Sequence, residues 1–324
     1  MAVTIKDVAH ASGVHVSTVS RTFSAAHLVN AETRARVLAA AHQLGYRPNR
    51  AARALSTRRT GNLGLIVADI ANPFFPPLIK AAQAHARASD HHVFVADTDE
   101  QARVEEELIR SMATQVDGAL LVASRLSNRV INELSADVPF VVVNRRPPGL
   151  PAVLMDVASG ARQAVEHLAG LGHREVALLS GPRASWTNQN LERAAAEEAE
   201  RHGVRLHRLG PNQPTEEGGA AAAPDLLATG ATAALAYNDL VALGLVGELR
   251  SRGLAVPDDL SVVGVDNTDT ARHCDLTTVD MPTAAAGRAA IDLLLRRITS
   301  GDAPGTVTLD TRLIVRGSTA PPAG

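Results

Sequence analysis

Four hydrogen-bonding side chains near the N-terminus fall at the spacing of one exposed helix face. Val19 and Phe23, four residues apart, would face the other way and be buried. Hydroxyls and a planar guanidinium can hydrogen-bond to base edges and phosphates in the major groove of DNA. A three-helix bundle with no role in DNA binding is the structural alternative. The four residues are Ser17, Thr18, Ser20 and Arg21.

The residues on either side of this face predict a helix-turn-helix. Residues 4–11 read as a first helix that Thr4 caps at its N-terminus. Gly13 provides a tight turn before the helix that carries the four hydrogen-bonding residues. Two short helices joined by a glycine-containing turn are typical of this motif. A third helix is predicted from Asn30, as its N-cap, to about Leu44.

Charge is distributed unevenly along the 324 residues. The formal net charge is −2, which on its own argues against a nucleic-acid partner. Residues 1–60, however, contain nine basic and two acidic side chains, a net charge of +7, so the rest of the chain carries −9. Such an asymmetry indicates a nucleic-acid-binding module joined to an acidic one. A solvated basic face without a partner would give the same numbers.

Two sequence runs resemble the LacI/GalR family of bacterial transcription repressors, and the later segments match it as well. The runs are VTIKDVAHASGVHVSTVSRTF and LGYRPNRAARALSTRRTGNLGLIVADIANPFF. The resemblance implies a DNA-binding headpiece, a hinge helix, and an effector-binding core similar to the periplasmic sugar-binding proteins. The expected boundaries are 1–47 for the headpiece, 48–60 for the hinge helix and linker, 61–156 with about 283–309 for the N-lobe of the core, and 157–281 with about 310–324 for its C-lobe.

The resemblance assigns DNA contacts to individual residues. Leu55, in the implied hinge helix Asn49–Ser56, would wedge into the minor groove and bend the duplex. By itself Leu55 would read as a core residue, but the neighbouring Arg50 and Arg53 favour DNA. Val16, Ser17 and Arg21 match base-reading positions, whereas Thr4, Thr18, Ser20 and Thr33 match phosphate-contacting ones. The implied DNA-binding set is Thr4, Val16, Ser17, Thr18, Ser20, Arg21, Thr33, Asn49, Arg50, Arg53 and Leu55.

From residue 61 onwards, apolar runs alternate with amphipathic helical stretches such as 101–115 and 239–252. This alternation predicts doubly wound parallel sheets with helices on both faces, in two units of about 63–156 and 157–281. A final helix, 283–299, and strands within 306–316 would return to both halves. The predicted strands are Leu63–Ala68, Val93–Ala96, Ala119–Val122, Phe140–Val143, Val176–Leu179, Ala233–Ala236 and Ser261–Val265.

Ligands of doubly wound sheets bind beyond the carboxyl ends of the strands, so the residues after each strand are candidates for an effector site. Amides, carboxylates and aromatic rings at these positions suit a small polyhydroxylated ligand. Each could instead be a turn, cap or core residue; Asn238, for example, opens a helix. The candidates are Asn72, Phe74, Phe75, Asn144, Trp186, Asn188, Asn190, Tyr237, Asn238 and Asp266.

One position departs from the family pattern. The family usually has an arginine that grips the effector where this chain has Leu191. Arg193, two residues on, would point elsewhere on a helix, at roughly 200° from that position. Either Asn188 or Asn190 replaces the arginine, or the effector differs from the usual sugars of the family.

Several functional classes lack support in the sequence. The motifs of nucleotide-binding folds, serine hydrolases and zinc proteases are absent, so no enzyme activity and no cofactor are expected. Cys274 is the single cysteine, and the adjacent His91 and His92 are poor metal partners, so no metal site is expected. The N-terminus lacks a signal-peptide pattern, and the apolar runs fall well short of the roughly 20 residues that span a bilayer. A cytoplasmic location is expected.

The sequence therefore predicts a transcriptional repressor whose operator affinity is controlled by a small molecule, a sugar or sugar derivative, bound between two lobes. Two headpieces would read a pseudo-palindromic operator, which requires a homodimer. The alternative is a solute-binding protein or sensor that uses the same core without regulating DNA. Residues 1–60 discriminate the two, because a solute-binding protein has no use for a basic helix-turn-helix.

Overall fold

The computed structural model describes residues 3–24, 26–46, 59–301 and 305–323. The chain forms two compact units, Met1–Thr60 and Gly61–Gly324. The described part of the first unit is helical, and the second contains two mostly parallel sheets covered by helices. This confirms the predicted fold class, an α-helical headpiece followed by an α/β core of doubly wound sheets.

The headpiece helices begin and end where the sequence places their caps. They are α1 (Ile5–Ser12), α2 (Val16–Ser24), a 3-10 turn (Ala26–Leu28) and α3 (Ala31–Gln43). Thr4 precedes α1, and its backbone N–H and hydroxyl both donate to the Asp7 carboxylate at 2.8 Å. Gly13 ends α1 with a φ of +63°, and Asn30 caps α3 by accepting from the N–H of Thr33 at 2.7 Å.

A small apolar core fixes the three headpiece helices against one another. Val8, Val19 and Val37, one from each helix, are completely buried in it. The rings of Phe23 and Tyr46 extend the cluster, with their centroids 5.8 Å apart. Because Val19 anchors the inner face of α2, the side of this helix that carries Ser17 and Ser20 faces outward.

The first sheet of the core forms what we call the N-lobe. Its strands are β1 (Asn62–Val67), β2 (His92–Asp97), β3 (Gly118–Val122), β4 (Phe140–Val143), β5 (Ala152–Met155) and β11 (Thr306–Leu309). The strand order is β11-β5-β4-β3-β1-β2, and all the pairs are parallel. The order reverses direction between β1 and β3, which makes this point the topological switch of the sheet.

The second sheet, which forms the C-lobe, repeats this arrangement. Its strands are β6 (Glu175–Leu179), β7 (Arg205–Leu209), β8 (Ala233–Ala236), β9 (Ser261–Asp266), β10 (Thr277–Asp280) and β12 (Arg312–Ile314). The order is β12-β10-β9-β8-β6-β7, with only β12 antiparallel to its neighbour. Here the topological switch lies between β6 and β8.

Helices cover both faces of the two sheets. Those of the core are α4 (Phe75–Ala88), α5 (Ala102–Met112), α6 (Asn128–Leu134), α7 (Val157–Gly170), α8 (Trp186–Arg201), α9 (Glu216–Ala228), α10 (Asp239–Ser251), α11 (Asp269–His273) and α12 (Thr283–Ser300). α12 follows the last parallel strand of the C-lobe but packs against α4 and the N-lobe sheet. None of the helices in the described ranges is both long enough and apolar enough to cross a membrane.

Three strands escaped the sequence analysis, each for a physical reason. β5, with the sequence AVLM, is a short strand that follows a segment rich in proline and glycine, and β7 is an edge strand whose sequence RLHRL is mostly polar. β10, with the sequence TTVD, is polar in composition, yet Thr277 and Thr278 are completely buried. The predicted strand region 306–316 divides into β11 and β12, one in each sheet, so it returns to both halves as expected.

The chain passes between the two lobes three times. The connections lie at Asp156, at Met281–Pro282 and at Asp310–Thr311. The Thr311 hydroxyl donates to the carbonyl oxygen of Asp156 at 2.7 Å, which ties two of these connections together. A single continuous apolar cluster runs through both lobes on either side of the connections.

Two glycines allow α9 and α10 to pack at very short range beneath the carboxyl end of β8. A Cβ atom on Gly219 would lie 2.0 Å from the carbonyl oxygen of Val241, and one on Gly244 would lie 1.9 Å from that of Glu216. Neither contact leaves room for a side chain, because both neighbouring atoms belong to helix backbone. The close approach fixes the position of the N-terminus of α10, which begins at Asp239.

We expect Gly244→Ala to lower the free energy of unfolding by about 1–3 kcal/mol, because the new methyl group forces the two helices apart. Gly247, on the exposed side of the same helix, has open space around it. Gly247→Ala should therefore be neutral or stabilising, by up to about 1 kcal/mol, through the better helix propensity of alanine. Denaturant titration of both variants measures the difference, and equal effects would contradict the packing argument.

Candidate functional site

The outer face of α2 presents polar groups to solvent. Ser17, Ser20 and Arg21 are exposed, whereas Val16 and Thr18 are half-buried at the edge of the headpiece core. Ser17 is oriented by its neighbour, since its hydroxyl lies 2.9 Å from Nδ1 of His15. The face thus offers short hydroxyls and one guanidinium, which are groups that hydrogen-bond to nucleic acids.

The other residues implied in DNA binding lie partly within the described chain. Thr4 is exposed beside the N-terminus of α1, and Thr33 is half-buried in the first turn of α3. Their positions at helix N-termini are ones at which backbone N–H groups also point towards anions. The remaining implied residues fall outside the described residues; they are Asn49, Arg50, Arg53 and Leu55.

A cavity lies between the carboxyl ends of the two sheets, at the topological switch of each. Both lobes contribute to it, as the strand-end rule requires. Seven predicted effector residues line it: Asn72, Phe74, Phe75, Asn144, Tyr237, Asn238 and Asp266. The other lining residues are Glu100, Ala123, Arg125, Thr187, Pro214, Val265 and Met281.

Unusual backbone conformations concentrate around this cavity. Glu100, Ala123, Asn144 and Asp266 have φ angles of +60°, +54°, +54° and +125°. They are four of the eight non-glycine residues with positive φ in the described chain. Such conformations cost roughly 1–3 kcal/mol each and tend to occur where a side chain must be aimed at a site. All four lie within a few residues of the end of a strand, so the strain serves to turn their side chains into the cleft.

The N-lobe wall combines two amides with two aromatic rings. Asn72 accepts from the N–H of Phe74 at 2.9 Å, and Asn144 accepts from the N–H of Met155 at 3.1 Å. Each carboxamide therefore uses its oxygen to order the loop that carries it. Phe74 and Phe75 are buried and meet edge to face, with ring centroids 5.0 Å apart. Aromatic rings beside amides are suited to a ligand with both C–H and hydroxyl groups.

Arg125 enters the cavity from the loop after β3 and is held from several sides. Its guanidinium donates to the Glu100 carboxylate at 2.5 and 2.9 Å, and to the carbonyl oxygen of Ala123 at 2.9 Å. Its backbone N–H donates to the Glu105 carboxylate at 2.9 Å, and burial raises the pKa of Glu105. Burial lowers the pKa of Arg125, but Tyr237 and the Glu100 carboxylate raise it by more. The pKa of Arg125 is therefore raised.

On the C-lobe wall, Tyr237 lies directly over Gly181. A Cβ atom at residue 181 would be 2.4 Å from Cγ of the tyrosine ring, so only glycine fits there. The Tyr237 hydroxyl hydrogen-bonds with the Ser185 hydroxyl at 3.0 Å. Asn238 caps α10 through the N–H of Val241 at 2.9 Å, which is the capping alternative that the sequence left open, and it also lines the cavity.

Two carboxyl groups lie close together at the base of the C-lobe wall. Burial raises the pKa of Asp266 well above its usual range, and the neighbouring Asp239 raises it further. Asp239 is completely buried and accepts from the Thr268 N–H at 2.8 Å, the Thr268 hydroxyl at 3.0 Å and the Thr278 hydroxyl at 2.5 Å. Burial still dominates, so the pKa of Asp239 rises from 3.8 to about 6.

Three of the predicted effector residues do not line the cavity. Asn188 is buried, accepts from the N–H of Gly181 at 2.7 Å and donates to Glu192 at 2.8 Å. Asn190 donates to the carbonyl oxygen of Trp186 at 2.8 Å, and Trp186 itself is half-buried at the start of α8. These side chains stabilise the first turns of the helix. Neither asparagine is therefore placed to replace the missing arginine.

Glu100, Arg125 and Thr187 line the cavity but were absent from the sequence-based candidates. Arg125 follows β3, which is a strand at the topological switch, so the strand-end rule applied to every strand would have found it. Glu100 follows β2 after a turn of left-handed backbone conformation, which the sequence does not indicate. The sequence analysis selects Trp186 as an effector candidate, whereas the structure places its neighbour Thr187 in the cavity wall. In the described ranges, no cluster of three or more metal-ligating side chains occurs.

Comparison with known proteins matches both units. The model of bacterial regulatory proteins of the lacI family matches residues 4–49, and the model of periplasmic binding protein-like domains matches residues 165–319. The regulator GalS of Salmonella typhimurium is 34% identical over 304 residues, which cover 91% of this chain and 89% of GalS. The chain belongs to the LacI family.

Solved structures of LacI-family proteins have the same fold. The lac repressor dimer bound to operator and the anti-inducer ONPF superposes with a TM-score of 0.87 at 27% identity, covering 99% of this chain and 100% of that one. A LacI-family regulator from Enterococcus faecalis with bound ribose gives a TM-score of 0.73 at 31% identity, covering 80% and 99%. The match to the lac repressor covers both the headpiece and the core.

Membership of the LacI family decides between the functional classes that the sequence left open. The protein is a DNA-binding transcriptional regulator and not an enzyme, as predicted. A solute-binding protein would share the core but not the matched headpiece at residues 4–49. The LacI-family headpiece and the cavity of the core are therefore two parts of one regulator.

The raised pKa of Asp239 makes a prediction for stability against pH. Because its pKa in the folded state, about 6, lies above the usual 3.8, its neutral form stabilises the fold at low pH. That stability is lost as the pH rises through about 6. Asp266→Asn removes a carboxyl group whose own pKa is raised well above its usual range, so that Asp239 alone is left to titrate with a raised pKa. The variant should therefore lose less stability, and its free energy of unfolding should rise relative to that of the wild type by about 1 kcal/mol between pH 5 and 7.5.

Denaturant titrations at several pH values measure this difference. Asp225→Asn, at an exposed position on α9, controls for the loss of one carboxylate from the same lobe. A constant difference between Asp266→Asn and the wild type across the range would contradict the raised pKa of Asp266 in the folded protein.

Proposed function

We propose that this protein is a transcriptional repressor that acts in the cytoplasm and whose operator affinity is controlled by a small effector in the cleft. The observation that carries the proposal is the cavity at the switch points of both sheets, in a chain that also carries a LacI-family headpiece. The headpiece reads DNA and the core senses the effector.

The proposed DNA-binding role of the headpiece is argued from the outer face of α2. Ser17 and Arg21 are exposed there, and they match the base-reading positions of the family. Thr4 and Thr33 match phosphate-contacting positions at the N-termini of α1 and α3. The net charge of +7 on residues 1–60 supplies the attraction to phosphates that does not depend on sequence.

Two headpieces are needed to read a pseudo-palindromic operator, so the active form is a homodimer. The N-lobe offers a surface for it, since Ile70 and Phe94 are 48% and 52% exposed. Phe94 lies on β2, which is the free edge of its sheet. The solved lac repressor that this chain resembles is a dimer bound to operator.

The effector is a sugar or sugar derivative. The cavity combines the rings of Phe74 and Phe75 with the amides of Asn72 and Asn144 and with the carboxyl group of Asp266. The ribose-bound regulator from Enterococcus faecalis, at 31% identity, has the same core fold.

Binding between the lobes changes how they close, because the residues around the effector come from both of them. The change in closure alters how the two hinge segments of the dimer meet, and hence the affinity for the operator. By linkage, the operator must alter effector affinity by the same factor as the effector alters operator affinity.

Selection from random duplex DNA with the full-length protein should yield a pseudo-palindromic site, and affinity for it should fall with salt at a slope of about −0.9 per phosphate contact. Arg21→Ala should weaken this binding by about 1–3 kcal/mol and relax base preference at one position in each half-site. Arg103→Ala removes an arginine whose side chain is 83% exposed on the core and serves as the control. Salt-independent binding, or an equal loss in both variants, would contradict the assignment.

Phe94→Glu should convert the dimer to monomers and abolish tight operator binding, since a charge replaces an apolar contact at the proposed interface. Sedimentation equilibrium measures the mass directly. Val315→Glu changes another exposed apolar residue, 57% exposed in the C-lobe, and should leave the dimer intact. A dimeric Phe94→Glu variant would place the interface elsewhere.

A further inference from the structure

The effector cavity of this protein receives its positive charge from an unexpected side. At the position of the family's effector-gripping arginine, Leu191 is completely buried in the apolar core that runs through both lobes. Arg193 is exposed and donates to Asn190 at 2.9 Å. Among the described residues that line the cavity, Arg125 is the one cationic side chain, and it comes from the N-lobe.

The charge of Arg125 is already balanced before any ligand enters. Glu100 binds the guanidinium through both of its carboxylate oxygens, at 2.5 and 2.9 Å. This is the bidentate arrangement in which arginine and carboxylate pair most strongly. The side chain of Arg125 is 6% exposed, whereas that of Glu100 is 26% exposed and faces the open part of the cleft. The pair therefore brings hydrogen-bonding atoms to the cavity without a net charge.

Both members of the pair are fixed in place. Glu105 holds the backbone of Arg125, and the carbonyl oxygen of Ala123 accepts from its guanidinium. Glu100 has a φ of +60°, and its N–H donates to the carbonyl oxygen of Ala68 at 2.7 Å. A strained backbone that directs one carboxylate onto one arginine is the mark of a built pair and not of a chance surface contact.

An anionic ligand would find no free positive charge in this cavity. Its charge would lose water without gaining a counter-ion, and it would approach the Glu100 carboxylate. Like charges brought together at an interface cost several kcal/mol. An uncharged diol meets no such penalty, because carboxylate oxygens accept its hydroxyl protons and guanidinium N–H groups donate to its oxygens. The Tyr237 hydroxyl, bonded to Ser185, adds a partner from the C-lobe.

We propose that the effector is an uncharged polyol, and that the Glu100–Arg125 pair recognises its hydroxyls while excluding phosphorylated and acidic sugars. This inference rests on the proposed function of the cavity as the effector site. Glu100 is then the determinant of charge selectivity, since its removal exposes the cation of Arg125.

The test uses the full-length protein and sugars in matched pairs, by thermal shift and then by titration calorimetry. Aldopentoses and aldohexoses are each compared with the corresponding terminal phosphate, and the hexoses also with their uronic acids. We expect at least one uncharged sugar to bind, and each anionic counterpart to bind at least about tenfold more weakly.

Glu100→Gln supplies the decisive variant. It keeps the shape of the side chain but uncovers the charge of Arg125, so the preference for the uncharged sugar over its phosphate should shrink by about tenfold or reverse. The double variant Glu100→Gln with Arg125→Met should lose the improved binding of phosphorylated sugars that Glu100→Gln alone produces. Arg110→Met, which breaks the exposed Arg110–Glu106 pair in the same lobe, should bind all the sugars as the wild type does.

Three results would overturn the inference: an anionic sugar that binds the wild type more tightly than its uncharged partner, an unchanged preference in Glu100→Gln, or no binding by any uncharged sugar of the panel. Unfolding curves of each variant ensure that lost binding is not lost structure. Operator affinity is measured separately with and without the bound sugar. If the sugar binds with the expected selectivity but leaves operator affinity unchanged, the proposed function fails while the charge selectivity stands.

Discussion

The parallel pairing of the strands is the constraint on which the core of this protein depends. In a parallel sheet all strands end at the same edge, so the loops that follow them gather there. With two such sheets, the gathered loops of each lobe form opposite walls of one cleft, and the cavity lies where the strand order reverses in both. Residues far apart in sequence, such as Asn72 and Asp266, share the cavity for this reason.

The two walls of the cleft accommodate buried ionisable groups in different ways. On the N-lobe wall, Glu100 and Arg125 neutralise each other through two hydrogen bonds. On the C-lobe wall, burial raises the pKa of both Asp239 and Asp266. Three hydrogen bonds from threonine groups stabilise Asp239 without overcoming its burial. The cleft is therefore polar but contains little net positive charge.

Most of the fold was predictable, because continuous apolar runs and helix caps such as Thr4 and Asn30 are local features of the sequence. The site was predictable only where a residue follows a recognised strand, as Asn144 does. The pairing of Arg125 with Glu100 is a contact between two loops and leaves no local signal. Conversely, Asn188 has the right chemistry at the right strand end, but its amide bonds to Gly181 and Glu192, a choice that only the packed structure reveals.

The position of β11 and β12 near the end of the chain governs the order in which the protein can be completed during synthesis. β11 forms the edge of the N-lobe sheet and β12 the edge of the C-lobe sheet. The N-lobe sheet is not whole until Leu309 has been synthesised, nor the C-lobe sheet until Ile314, although the headpiece can fold long before. The two lobes thus gain their last strands almost together during translation. A premature stop between residues 281 and 305 would leave both sheets without their last strand, and β5 and β10 would then become exposed edges open to pairing with other chains.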